Sequence, residues 1–269
     1  MRAATRRVDR SASRISSSDF GRRIWRLRVA YDGRGFVGWQ RQNNGVAIQF
    51  LVEGAVRSVF GEGVAVHGAS RTDAGVHALG QVAHFLQPEG SREFSIRELH
   101  GALNAHLPPE VRIMALGRAR EAFHARFSAR WKRYRYRIIN APVMPPHELG
   151  RAWQVALPLD IGAMRAGGKR LVGRHDFAPY SANSKTVRED TVRRVRRVSV
   201  SRKGALVEVT VDGDGFLYRM VRSIVGAMVH VGLGRRDPEW MAERLRSGRR
   251  EPGVVTAPPQ GLYLVKVVY

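Results

Sequence analysis

One short stretch of the chain combines a carboxylate, a guanidinium and turn-forming residues at a spacing that suits catalysis. It reads Ser-Arg-Thr-Asp-Ala-Gly-Val-His from 70 to 77, so Asp73 follows Arg71 by two positions. Thr, Asp and Gly favour turns, because Asp can bond the backbone that follows it and Gly tolerates positive φ. A carboxylate held on a turn beside a guanidinium stays charged and can act as a nucleophile. The residue types alone nevertheless favour a simpler interpretation, in which Asp73 caps a turn and Arg71 is a surface charge.

The residues around this turn alternate as half-buried strands do. Val64, Val66 and Gly68 lead into the turn, and a mostly apolar run from 81 to 86 leads out of it. Alternation of this kind is typical of β-strands. We therefore expect a strand, the turn and a second strand, so that the turn carrying Asp73 is anchored to a sheet.

A strand expected at 131–139 alternates aromatic and basic side chains. Tyr134 and Tyr136 share one face, because successive side chains of a strand point to opposite sides. The opposite face carries Arg133, Arg135 and Arg137. The pattern alone favours tyrosines in the core and arginines in water. The alternative makes Tyr134 a stacking surface for a base and leaves the arginine face free for phosphates.

A third candidate, Arg222, lies within an apolar pattern of helical spacing that runs from 220 to 231. Basic residues beside an apolar helix usually extend their charge into water. From the pattern alone, Arg222 would therefore be a solvated side chain.

The glycines Gly33, Gly35 and Gly38 follow a strand, as the glycines of a dinucleotide-binding loop do. In such a loop the helix opens within the motif, so that its N-terminus meets the pyrophosphate. Here a polar stretch intervenes and the helical pattern begins only near Ala47. Glu53, at about the separation of a ribose-binding acid, lies inside that helix. This geometry argues against an NAD-dependent oxidoreductase.

A metal site and a glycosidase find little support in the sequence. The histidines near the candidate residues have no zinc-site spacing; they are His67, His77, His84 and His124. The chain has no Cys, which excludes thiolate catalysis, disulfides and cysteine-based metal sites. A retaining glycosidase needs a second carboxylate about 5 Å from its nucleophile. No acidic residue close to Asp73 in sequence suggests one, so only the fold could supply it.

The charge balance points to a polyanionic partner. The chain of 269 residues carries 46 Lys and Arg against 23 Asp and Glu, a net charge of +23. Cations that neutralise phosphates release counterions, which drives binding to nucleic acids. With 43% hydrophobic residues the chain can form one large domain or two. No apolar run approaches the roughly 18 residues of a membrane span, so we expect a nucleic-acid partner and no membrane.

The elements that position the candidate residues divide into two α+β halves. Residues 1–22, rich in Arg, Ser and Ala, are predicted to be a disordered basic arm rather than an organelle transit peptide. From 23 to 118 the patterns give strand, helix, strand, strand, helix, strand, the order of a ferredoxin-like unit. From 119 to 269 we expect strands near 131–139, 152–156, 192–200, 205–211 and 262–268, with helices near 160–172, 220–231 and from 237 onward.

The motif from Arg71 to His77, continued by Gly80-Gln81-Val82, resembles the active-site motif of the tRNA pseudouridine synthase A family. Three other segments resemble that family in the expected order: the glycine loop at 31–42, the block at 123–136 and the residues around Arg222. The resemblance covers about 25–269. Ser70 stands where some members of the family have Gly, and residues 176–193 depart further from the family pattern.

The resemblance implies an isomerase that converts uridine to pseudouridine at positions 38, 39 and 40 in the anticodon stem-loop of tRNAs. It implies a cytoplasmic homodimer whose two ferredoxin-like or RRM-like halves, with antiparallel sheets, flank a basic cleft. Asp73 would be the catalytic residue, attacking C1′ or C6 or removing a ribose proton. Tyr134 would stack on the base, Arg222 would pair with Asp73, and Arg71 would orient the carboxylate or bind phosphate. The isomerisation calls for neither a cofactor nor a metal.

A non-catalytic RNA-binding protein remains an alternative, because it would share the charge and the paired α+β halves. Such a protein has no reason to bring Asp73, Tyr134 and Arg222 together. The separation of these three side chains in the fold therefore discriminates between the two classes.

Overall fold

The computed structural model of the protein describes residues 23–182, 190–248 and 255–269. The arm predicted at 1–22 lies outside the described residues. Within them the chain forms strands β1 Ile24–Tyr31, β2 His67–Gly68, β3 His77–Leu86, β4 Val111–Arg118, β5 Trp131–Ile139, β6 Trp153–Gln154, β7 Gly173–Asp176, β8 Val192–Lys203, β9 Leu206–Gly213 and β10 Leu262–Val268. The helices are α1 Ile48–Phe60, α2 Ile96–Ala105, α3 Ile161–Lys169, α4 Met220–Gly232 and α5 Trp240–Ser247.

The strands form one large, mostly antiparallel sheet, so the fold is α+β. Its order is β4-β1-β3-β10-β5-β9-β8-β7, with β2 on β3 and β6 on β5. The element order predicted for 23–118 is confirmed, since β1, α1, β2, β3, α2 and β4 follow one another. The sheets expected for the two halves are joined edge to edge, because β10 pairs with β3 as well as with β5.

Local signals explain where several helices begin. The hydroxyl of Ser95 accepts a hydrogen bond from the Glu98 amide at 3.2 Å, and the Glu98 carboxylate accepts one from the Ser95 amide at 2.9 Å. This reciprocal pair is the capping box that the sequence predicts for α2. The sequence predicts that α5 starts at Asp237, but its regular part begins at Trp240. The Trp240 amide still donates to the Asp237 carboxylate at 2.9 Å, so Asp237 acts as a cap.

The two glycines that weaken the helical pattern of α3 are required by its packing. A Cβ on Gly167 would lie 2.8 Å from the Met241 sulfur, and one on Gly168 would lie 2.8 Å from a Val198 methyl carbon. Both distances are too short for a side chain, so the glycines allow α3 to approach α5 and β8. The close packing offsets the loss of helix propensity, which is about 1 kcal/mol for each glycine.

One continuous apolar core holds both halves together. It includes buried residues from β1, β3, β5 and β9 and from each of the five helices, among them Trp25, Val52, Leu103, Tyr136 and Met228. In the described part of the chain, no helix is long and apolar enough to cross a membrane.

Three histidines pack against one another where β2, β3 and the segment before β5 meet. The ring centroids of His67 and His84 are 5.2 Å apart, those of His84 and His124 are 4.7 Å apart, and those of His67 and His124 are 5.7 Å apart. His84 is buried and accepts a hydrogen bond from the Ala125 amide at 3.2 Å. Burial, followed by the neighbouring His124 and His67, lowers the pKa of His84 to about 3. No group that could hold a metal is found among the described residues.

The histidine cluster should make stability depend on pH. The folded-state pKa of His84 lies below its unfolded value near 6.5, so its contribution is complete above pH 6.5 and declines as the pH falls toward 3. Between pH 7 and pH 5 the loss should be about 2 kcal/mol. His84→Gln keeps an acceptor but cannot titrate, and denaturant unfolding at both pH values should show a smaller loss for this variant. His147→Gln, at an exposed site, is the control; equal pH dependence in the two variants would contradict the assignment.

Candidate active site

The turn carrying Asp73 lies between β2 and β3 and is closed by its own backbone. The Val76 amide donates to the Asp73 carbonyl at 3.2 Å, and the Gly75 amide donates to the Phe36 carbonyl at 3.3 Å. Gly75 has a φ of 75°, a conformation that favours glycine. The turn is therefore fixed before any side chain of the site is considered.

The glycine-rich loop after β1 packs directly against this turn. The Trp39 amide donates to the Thr72 carbonyl at 3.1 Å. Gly38 has a φ of 106°, and a Cβ there would lie 2.5 Å from the Thr72 carbonyl oxygen. A Cβ on Gly33 would collide with the Val76 carbonyl. These two glycines allow two backbone segments to touch, and the loop supports the turn.

A buried arginine from the second half of the chain binds the Asp73 carboxylate. Nη1 of Arg222 lies 2.9 Å from Oδ2 of Asp73, although the two residues are 149 positions apart. Nε of the same guanidinium donates to the Ala257 carbonyl at 2.7 Å. Arg222 is 8% exposed and is not a solvated surface charge. The bond to Ala257 orients the guanidinium, and its other bond holds the Asp73 carboxylate, which remains partly exposed.

Tyr134 approaches the same turn from β5. Its hydroxyl lies 2.9 Å from the hydroxyl of Ser70, and the ring of Phe216 packs edge-on against it with centroids 5.2 Å apart. Burial raises the pKa of Tyr134 to about 12, the bond to Ser70 lowers it, and the charge of Asp73 raises it further. The hydroxyl is thus protonated near neutral pH and is within electrostatic reach of Asp73.

Arg71 is exposed at the start of the turn, whereas the ion pair of Asp73 is made by Arg222. The structure therefore brings Asp73, Tyr134 and Arg222 to one place and leaves Arg71 at its rim. This convergence favours an enzyme over a protein that only binds RNA.

The expectation of a free arginine face on β5 is wrong. Nε and Nη2 of Arg133 bind the two carboxylate oxygens of Asp212 at 2.7 and 2.6 Å. The other two arginines of that face pair with Glu208 and Glu148. The neighbouring strand β9 supplies Asp212 and Glu208, which the spacing within β5 could not reveal.

Two polar residues that sequence reasoning missed hold the turn in place. The side-chain amide of Gln81, which is fully buried, accepts from the Ser70 amide at 3.2 Å and donates to the Ser70 carbonyl at 2.6 Å. Nζ of Lys132 donates to the Ala69 carbonyl at 2.7 Å. Burial, followed by the charge of Arg126, lowers the pKa of Lys132 to about 8. A glutamine within an otherwise apolar strand was the available signal for Gln81.

His77, at the start of β3, has a structural role. Its Nδ1 accepts a hydrogen bond from the Gly33 amide at 3.1 Å, so Nε2 carries the proton and donates to the Gly150 carbonyl at 3.1 Å. Its ring stacks on that of Tyr263 with centroids 4.6 Å apart. Burial lowers its pKa, and the neutral ring ties the glycine loop to the sheet.

The fold thus brings a carboxylate on a sheet-anchored turn, a buried tyrosine and a buried arginine to one place. A family model described as tRNA pseudouridine synthase matches residues 28–128 and 168–269. The chain belongs to the tRNA pseudouridine synthase A family and is an isomerase that acts on tRNA.

Relatives of this name are similar over most of their length. The protein of Methylocella silvestris is 44% identical over 246 residues, which cover 91% of this chain and 98% of the relative. The protein of Thermoanaerobacter sp. is 38% identical over 241 residues, or 90% and 97% of the two chains. That of Methylacidiphilum infernorum is 42% identical over 245 residues, or 91% and 95%. A crystal structure of a Cbf5-Nop10-Gar1 complex matches 77% of this chain and 45% of its own, at 12% identity and a TM-score of 0.34, which is too low to support an inference.

The two bonds of the Arg222 guanidinium can be tested with Arg222→Lys. A single ammonium keeps the charge but cannot reproduce the planar fork that reaches both Asp73 and Ala257. We expect kcat/KM for pseudouridine formation to fall by about tenfold or more, with the thermal midpoint measured in parallel. Arg235→Lys, at an exposed position just after α4, should have no effect. Wild-type kcat/KM in Arg222→Lys would refute the positioning role.

Proposed function

We propose that this enzyme isomerises uridine to pseudouridine at positions 38, 39 and 40 in the anticodon stem-loop of tRNAs, with Asp73 as the nucleophile. The observation that carries the proposal is the ion pair between Asp73 and Arg222 beside the buried Tyr134. The motif around Asp73 supports it, since it resembles the active-site motif of the family to which the chain belongs.

The reaction demands few groups from the protein. The bond between N1 and C1′ breaks, the base turns, and C5 bonds to C1′, after which the proton on C5 leaves and N1 is protonated. No electrons are gained or lost. The target nucleotide must first leave the base stack, as it does in other enzymes that act on bases. The site must therefore supply a nucleophile, a surface for the freed base and a route for one proton.

Each of these roles has a candidate. Asp73 is partly exposed and aimed by Arg222, as an attacking carboxylate must be. Tyr134 supplies the stacking surface, and the edge-on ring of Phe216 fixes the orientation of the Tyr134 ring. Arg71, exposed at the rim, binds a phosphate of the flipped strand.

The larger architecture is proposed on the same basis. Residues 23–118 and 119–269 form two ferredoxin-like halves, supported by the neighbour orders β4-β1-β3 with β2 and β10-β5-β9-β8. Along the sheet, β4, β1, β3 and β2 of the first half correspond to β10, β5, β9 and β8 of the second. A net charge of +23 supports a basic cleft between the halves for the anticodon arm. The resemblance further supports a homodimer acting in the cytoplasm.

The substrate positions can be tested by mapping pseudouridines in tRNA from cells that lack the protein. We expect pseudouridine to be lost at positions 38, 39 and 40 and to return when the wild-type gene is supplied. Pseudouridines elsewhere in the same tRNAs serve as the internal control. Unchanged modification of the anticodon arm would refute the proposed positions.

The role of Asp73 can be tested with Asp73→Asn, which keeps the size of the side chain and removes its nucleophilic oxygen. We expect pseudouridine formation to fall below detection, while the affinity for a tRNA transcript stays within about threefold, since binding depends on many phosphates. Gel-shift titration and a tritium-release assay measure the two quantities. Turnover near that of the wild type would exclude Asp73 as the nucleophile.

A further inference from the structure

A surface cavity of about 500 Å³ lies at the β7–β8 edge of the sheet, apart from the residues assigned above. Its charged lining consists of Arg174, Arg193, Arg194, Asp190 and Asp214. The volume falls in the range of pockets that hold small ligands, about 300–1,000 Å³. The cavity is thus large enough for part of a nucleotide.

Two arginines of this cavity face each other across the strand pair. Arg174 on β7 is the direct antiparallel partner of Arg194 on β8, so their side chains leave the sheet on the same side. Both are exposed, and no ion pair or side-chain hydrogen bond of either one is found in the part of the chain that the structure describes. Like charges directly opposite each other destabilise a sheet. A bound anion between them would remove that repulsion.

The carboxylates of the cavity are already engaged by the protein. Oδ1 of Asp214 accepts from the Arg194 amide at 3.1 Å. Oδ1 of Asp190 accepts from the Val192 amide at 2.9 Å, and its Oδ2 lies 3.4 Å from Nη1 of Arg193. The acidic residues therefore shape the backbone and hold Arg193. The guanidinium groups of Arg174 and Arg194 are left to face the cavity.

One wall of the cavity is close in sequence to a residue that packs against Tyr134. The wall at Asp214 is two positions before Phe216, whose ring packs against Tyr134. The charge of Asp214 also acts on Lys132, which bonds the turn through the Ala69 carbonyl.

We propose that this cavity binds a phosphodiester of the substrate RNA between the guanidinium groups of Arg174 and Arg194. The inference rests on the proposed function, which supplies the RNA as the ligand. Arginine suits this role, since its planar fork makes paired hydrogen bonds to phosphate oxygens. The paired arginines would hold one phosphate of the bound RNA in place.

The test compares two double variants that remove the same charge. Arg174→Gln with Arg194→Gln should weaken binding of an unmodified tRNA transcript about tenfold, and should lower the slope of log affinity against log salt by about one. KM should rise about tenfold with kcat changed less than twofold. Arg202→Gln with Lys203→Gln, exposed at the far end of β8, is the matched control. Its affinity and slope should stay within twofold of the wild type.

A stem-loop RNA with single uncharged methylphosphonate linkages identifies the phosphate. The one linkage that replaces the phosphate held by the cavity should weaken binding about tenfold in the wild type and have no effect in the Arg174 and Arg194 double variant. Free inorganic phosphate at millimolar levels should not compete with the RNA, either in the wild type or in that variant. Equal affinities and salt slopes in the two double variants would overturn the phosphodiester site. So would an effect of the linkage that the wild type and the Arg174 and Arg194 double variant share, or a cavity that binds only free phosphate. Loss of the proposed function itself would appear instead as unmodified anticodon arms with the wild-type enzyme.

Discussion

The pairing of β10 with two strands at once is the constraint on which the site depends. Leu264 is the direct partner of Ala78 on β3 and of Tyr134 on β5. Because neighbouring strands lie about 4.8 Å apart, β3 and β5 are held about 10 Å from each other. The turn of Asp73 enters β3, so this spacing brings Tyr134 within reach of Ser70. Gly80 lets β10 come this close, since a Cβ there would lie 2.5 Å from the Val265 carbonyl oxygen.

The ion pair then uses the geometry that β10 provides. Burying a guanidinium is costly unless its hydrogen bonds are made, and removing one partner leaves an uncompensated charge. Arg222 avoids that cost by binding both Asp73 and the Ala257 carbonyl. The segment around Ala257 is itself fixed, because the Tyr136 hydroxyl donates to the Pro258 carbonyl at 2.7 Å. Preorganised charges of this kind do not have to be rearranged during the reaction.

Sequence reasoning succeeds here where the determining contacts are local. The capping box of Ser95 and Glu98 lies within four residues, and the order of elements in the first half follows from short periodic patterns. The family resemblance also anticipated the remote pair of Asp73 and Arg222. Sequence patterns alone fail where the partner is remote in sequence. Asp212 meets Arg133 across 79 positions, which no pattern within β5 could indicate. The joining of both halves in one sheet likewise depends on β10, at the opposite end of the chain.

Net charge alone does not identify the residues that contact RNA. A charge of +23 predicts a polyanionic partner, yet the arginines of β5 that looked most suitable are bound by carboxylates of the protein itself. The distinction lies in pairing across the sheet. Arg133 stands opposite an acid, so its charge is satisfied within the fold. Arg174 stands opposite Arg194, so neither charge is neutralised by its partner on the neighbouring strand. Which arginines remain available to RNA is therefore decided by strand register, a property of the folded sheet.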